Sequence, residues 1–80
     1  MQIKEAVVLR IDKLCKEKNL KYNALANLAG VTPSSIYSLM DSSRADAGVV
    51  ILKKVCDAFE ITIGEFFSDE IFDNLEQEIK

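Results

Sequence analysis

The stretch ALANLAGVTPSSIYSLMDSSR, residues 24–44, decides the fold. Leu25, Ala26, Leu28 and Ala29 supply the apolar positions of a short helix over about residues 23–29. Gly30 then closes it, because glycine takes the left-handed conformation without a Cβ penalty. Thr32-Pro33 opens a second helix. A threonine N-cap accepts a bond from an early backbone N–H, and proline at the first helical position gives up only a donor that has no partner there. Ile36, Leu39 and Met40 form the inward side of this helix, about residues 33–40, while Ser34, Tyr37, Ser38 and Asp41 face outward.

The flanks continue the helical pattern. Upstream, Ile3, Val7, Val8, Ile11, Leu14 and Cys15 make a stripe of period 3.6 over about residues 3–18, with Asn19 as the stop. Downstream, residues 42–48 (SSRADAG) read as a loop, and Val49, Leu52, Val55, Cys56 and Phe59 define a fourth helix. Thr62-Ile63-Gly64-Glu65 is a capping box that starts a short fifth helix ending near Phe67. Ser68 is placed to cap a last, acidic helix, DEIFDNLEQEIK, with Ile71, Phe72, Leu75 and Ile79 as its apolar strip. The fold class expected is all-α: five helices plus an additional C-terminal amphipathic helix.

The totals agree with one domain over residues 1–80, its core at about 3–67 and an acidic tail at 68–80. Nearly half the residues (49%) are hydrophobic, which suits a packed core rather than a disordered chain. One proline and three glycines are too few for a turn-rich β-sandwich. With no histidine the chain lacks the commonest general base, and an enzyme is not expected. Two cysteines without histidine do not make a structural zinc site, so Cys15 and Cys56 read as reduced, buried small hydrophobes of a cytoplasmic protein. No apolar run approaches the ~20 residues of a membrane span. Nothing in the sequence calls for a cofactor, a metal or a small-molecule ligand.

Charge is unevenly distributed. Residues 1–22 hold six Lys/Arg against three acids, residues 23–52 one against two, and residues 53–80 three against eight. The front of the chain is therefore basic and its end acidic, and Arg44 is the only cation between Lys21 and Lys53.

Two short helices hinged at a glycine are the form in which many proteins enter the DNA major groove. Leu25-Ala26, then Gly30-Val31-Thr32, then Ile36 and Leu39 resemble the helix-turn-helix of the phage-repressor (Cro/C1, or XRE) family. Ala26 is small where the two helices cross closely, and Leu25, Val31, Ile36 and Leu39 wedge the pair onto the core. RIDKLCKEKNL resembles the first helix of that family, and LKKVCDAFEITIGEFF its fourth and fifth, so the likeness covers about residues 7–67.

The resemblance implies a cytoplasmic, bacterial- or phage-type transcriptional regulator, a repressor binding double-stranded DNA as a homodimer. Carried over by position, Thr32, Pro33, Ser34, Tyr37 and Ser38 face bases. Tyr22, Asn23, Ser43 and Arg44 touch the DNA backbone, and Tyr22 has the alternative of stapling the second helix to the core. The family often has glutamine where this chain has Tyr22 and Pro33. It also commonly has a glutamate, paired with an arginine, where this chain has Met40. Arg10 matches that arginine and must find another partner or face a phosphate. For Ile71, Phe72, Leu75 and Ile79 two readings stay open, a dimer contact or an extension of the domain's own core. A second function also stays open: a protein-interaction module of the same fold, antirepressor- or antitoxin-like, with little DNA affinity.

Overall fold

The computed structural model describes residues 1–79. Its first helix, α1, runs Ile3–Lys18 and is matched to the helix dipole, with Glu5 in the first turn and Lys16 and Lys18 in the last. Asn19 stops it in the left-handed conformation (φ 54°), and the Leu20 N–H reaches back to the Cys15 carbonyl at 2.9 Å. The helix buries Val7, Ile11, Leu14 and Cys15 as expected, but rotated slightly from the expected stripe. Ile3 is exposed, whereas Lys4 and Ala6 are buried.

α2 spans Tyr22–Ala29 and α3 spans Pro33–Met40. Gly30 sits between them at φ 70°, and the Val31 N–H closes the turn on the Ala26 carbonyl at 3.0 Å. Leu25, Ala26, Ile36 and Leu39 are all buried, so the two helices present one continuous apolar wedge to the rest of the core. Each fully buried Leu or Ile contributes about 1.5–3 kcal/mol, more than the intrinsic helix propensity of eight residues can supply. Packing therefore holds these short helices. α2 sits between α3 on one side and α4, Val49–Ala58, on the other. Leu52, Val55 and Cys56 from α4 and Phe59, which caps it, complete the core, while Val49, part of the expected stripe, lies 80% exposed at the helix start. α5, Ile63–Phe66, begins with the anticipated capping box. Thr62 Oγ1 accepts the Glu65 N–H, and the Glu65 carboxylate accepts the Thr62 N–H, both at 3.0 Å. The Thr62 N–H, with the Thr62 hydroxyl beside it, holds the Glu65 carboxyl below the ordinary range.

Among the described residues the expected C-terminal amphipathic helix is not formed, and Lys80, its last residue, lies outside them. Ser68 does not cap it but donates its hydroxyl to the Glu65 carbonyl at 2.8 Å. Asp69 caps instead, accepting the Ile71 N–H at 3.0 Å, and a single 3-10 turn follows over Glu70–Phe72. The Phe72 ring packs 4.8 Å from that of Phe67 and 6.0 Å from that of Phe66. Beyond it the chain leaves helical geometry, and the Glu76 N–H donates to the Met1 carbonyl at 3.0 Å. The physical reason is a conflict between levels. A helix here would stack Asp69 on Asp73 and Asp73 on Glu76, each like-charge pair costing about 0.2–0.5 kcal/mol, and a segment this short is marginal by itself. Docking Phe72 on the other two rings, and Asp69 on Lys13 and Arg10, offers more. Of the four strip residues, Ile71, Phe72 and Leu75 are half-buried, and Ile79 stands 88% exposed.

Candidate nucleic-acid interface

The outer face of α3 is built by its cap. Thr32 Oγ1 accepts the Ser35 N–H at 3.3 Å and lies within hydrogen-bonding distance of the Ser34 and Ser35 hydroxyls, at 3.1 and 2.9 Å. With Ile36 and Leu39 turned inward, Thr32, Pro33, Ser34, Tyr37 and Ser38 are all left exposed on one side. This surface is polar and low in relief, apart from one large side chain, Tyr37, at 56% exposure. It carries no charge.

Tyr22 stands at the start of α2, and its hydroxyl donates to the Asp12 carboxylate of α1 at 2.8 Å. Its ring meets that of Tyr37 edge-on, with centroids 5.6 Å apart and planes at 74°. Partial burial, followed by the Asp12 bond and charge, pushes the Tyr22 phenol up to about 12. The only proton Tyr22 has to donate is thus committed to Asp12. Tyr22 staples α2 to α1 rather than offering a donor to phosphate. Its neighbour Asn23 is exposed, and Lys21, as N-cap of α2, supplies no side-chain acceptor to the first-turn N–H groups.

The segment after α3 is an ordered turn. Asp41 accepts both the amide and the hydroxyl of Ser43, at 3.0 and 2.6 Å. Those two bonds and the Arg44 guanidinium, 3.6 Å away through Nε, hold the Asp41 carboxyl below its usual value. Ser43, expected at a phosphate, therefore braces the turn. Arg44 stays 66% exposed at its tip. From below, the Lys4 ammonium donates to the carbonyls of Arg44 and Asp46, both at 3.2 Å, while Lys4 itself is only 4% exposed. This buried lysine was readable in the spacing 4, 7, 11, 14, which puts it on the inward stripe; its charge hides it from a hydrophobicity pattern. Between this turn, α3 and the start of α4 lies a polar hollow of about 320 Å³ lined by Ser34, Ser35, Ser38 and Arg44.

Arg10, expected to find another partner or face a phosphate, turns inward to the end of α5. Its guanidinium donates to the carbonyls of Phe66 at 2.8 Å and Glu65 at 3.0 Å, lies 3.7 Å from Asp69, and covers the Phe66 ring at 5.8 Å. With Met40 where an acidic partner would stand, it pairs instead with Asp69, just beyond α5. Its side chain is 13% exposed and committed internally, which removes it from the phosphate contacts. Lys13 is likewise paired with Asp69, at 3.1 Å. Both cysteines are free and buried, and burial pushes both thiols up, away from nucleophile chemistry.

A glycine-hinged helix pair, wedged by α1, α4 and α5 and exposing the polar face of its second member, defines a helix-turn-helix domain of the phage-repressor type. The Cro/C1-type HTH DNA-binding domain model matches residues 10–70, and the chain belongs to that family. Among solved structures, the crystal structure of the prophage Lp1 protein 11 shares the fold. Its TM-score is 0.81 at 24% identity, covering 94% of this chain and all of that one. No curated protein is significantly similar in sequence. Among the described residues no helix is long and apolar enough to cross a membrane.

Proposed function

We propose that this domain is a sequence-specific transcriptional regulator, a repressor that acts as a homodimer with α3 in the major groove. The observation that carries the reading is the outer face of α3. Its small hydroxyl side chains let the helix backbone approach base edges closely, and one aromatic projects from an otherwise flat surface. Ser34, Ser38 and Tyr37 supply hydroxyls to base edges. Thr32, whose hydroxyl is the cap, and Pro33 supply apolar contact of the kind that thymine methyl groups accept. Asn23 and the free N–H groups at the start of α2 contact one phosphate run, and Arg44 on its braced turn contacts another. A single α3 covers one half-site, and a second copy supplies the other about one helical turn away.

The scarcity of cations sharpens the expected result. If each copy neutralises one or two phosphates, affinity for duplex DNA falls with a log–log salt slope of only about −2 to −4. The test is selection of genomic fragments by the full chain, followed across salt. Recovery of one two-fold sequence with that shallow slope supports the reading. Absence of any retained fragment at about 50 mM salt refutes it and leaves the interaction-module reading, which the uncharged α3 face favours.

A further inference from the structure

We propose that Asp12 and Tyr22 are positioning residues that orient Tyr37 and so set the base preference of the domain, an inference that rests on α3 being the reading helix. Tyr37 is the only large side chain among the base-facing residues, and more than half of it stands in solvent. On that side α3 offers it only serines and its own cap, none large enough to fix a ring. Next to it lies an open cleft of about 570 Å³ between the end of α1 and the start of α2, bordered by Lys16, Asn19, Lys21 and Asn23. On a helix a ring with that room has two χ1 positions open to it, and each aims the hydroxyl differently.

Tyr22 removes the choice. Its ring, 5.6 Å from that of Tyr37 and nearly perpendicular to it, lies at the geometry aromatic pairs prefer. Tyr22 cannot follow a swinging partner, because its ring packs against the core and its hydroxyl is tied to Asp12 by a charge-assisted bond of 2.8 Å. The chain of contacts crosses three helices, from Asp12 on α1 through Tyr22 on α2 to Tyr37 on α3. The bound orientation of the reading residue is therefore prepared before DNA arrives, and its ordering cost is removed from specific binding. Non-specific binding, carried by phosphates, does not use Tyr37 and is untouched.

The experiment takes a duplex selected by the full chain from a random pool and measures affinity for it against an unselected duplex. Tyr22→Leu keeps apolar volume and is expected to lower the specific-to-non-specific ratio about tenfold, the upper range for one edge-to-face pair. Unselected affinity and the salt slope stay constant. Tyr22→Phe and Asp12→Asn keep both rings and lose about threefold, about half that range on a logarithmic scale; they carry the test if Tyr22→Leu fails to fold by circular dichroism. In a Tyr37→Ala background each of these changes has no further effect on the ratio. In the free protein, three-bond couplings report a single Tyr37 χ1 rotamer in the wild type and averaging in Tyr22→Leu. Effects at Tyr22 and Tyr37 that simply multiply, or unchanged couplings, overturn the inference while a wild type that still selects a site keeps the DNA reading. A wild type that selects nothing overturns both.

Discussion

Replacing Arg10 by methionine separates two roles that the sequence leaves open for it. Methionine keeps an apolar stem of similar reach and removes only the guanidinium, so the change reads the polar contacts rather than a cavity. Two hydrogen bonds to the carbonyls ending α5 are lost, one partly buried at 2.8 Å and one exposed at 3.0 Å. A charged donor to a partly buried carbonyl is worth about 1.5 kcal/mol at the lower end of its range, and the exposed bond about 0.5 kcal/mol. The expected loss is therefore about 2 kcal/mol from a domain whose total, at this length, is of the order of 4–12 kcal/mol. With a urea slope near 1 kcal/mol/M, the midpoint falls by about 2 M. Equilibrium urea unfolding, followed by far-UV circular dichroism, measures it directly. DNA binding, assayed where the variant is fully folded, is expected to keep its affinity and salt slope. A stability loss below about 0.5 kcal/mol would show that the α5 contacts do not hold Arg10, and a salt slope shallower by about two for the dimer would place it on phosphate; either refutes the reasoning.

Three further outcomes test the local structure. Glu60 follows α4 in the left-handed conformation at φ 60°, where a side chain is strained, so Glu60→Gly is expected to stabilise by about 0.5–1 kcal/mol. Gly30→Ala, at φ 70° with open space around the new Cβ, should instead cost about 1 kcal/mol, and denaturant midpoints moving otherwise would contradict both. Tyrosinate absorbance should show one phenol ionising near pH 12, moved toward its ordinary value near 10 by Asp12→Asn. Because the folded value is the raised one, the stabilising contribution of Tyr22 is fully present below about pH 10 and is lost as pH rises through about 12. A Tyr22 phenol ionising near 10 would remove the Asp12 bond.

Local signals along the chain specify the helix-turn-helix and its frame. Gly30, the Thr32-Pro33 opening and the Thr62–Glu65 box act through backbone geometry within a few residues. Such signals do not depend on what lies across the core, and the end of α2 and the starts of α3 and α5 stand where they put them to within a residue; α1 and α4 follow their apolar stripes. The outward set on α3 was legible for the same reason, since period alone separates Ile36 and Leu39 from Ser34, Tyr37 and Ser38. Which polar side chains face each other is set by the assembly of the helices. Lys4 under the Arg44 turn, Arg10 on α5 and Tyr22 on Asp12 each join residues ten or more positions apart, and no local rule ranks such pairings. The tail followed the same principle. Its periodicity favours a helix, but acidic neighbours weaken that helix, and the Phe66–Phe67 platform and the Lys13–Arg10 pair draw Phe72 and Asp69 elsewhere. Local backbone preference amounts to tenths of a kcal/mol per residue, whereas docking one aromatic side chain and one paired carboxylate is worth a few, so the longer-range contacts prevail.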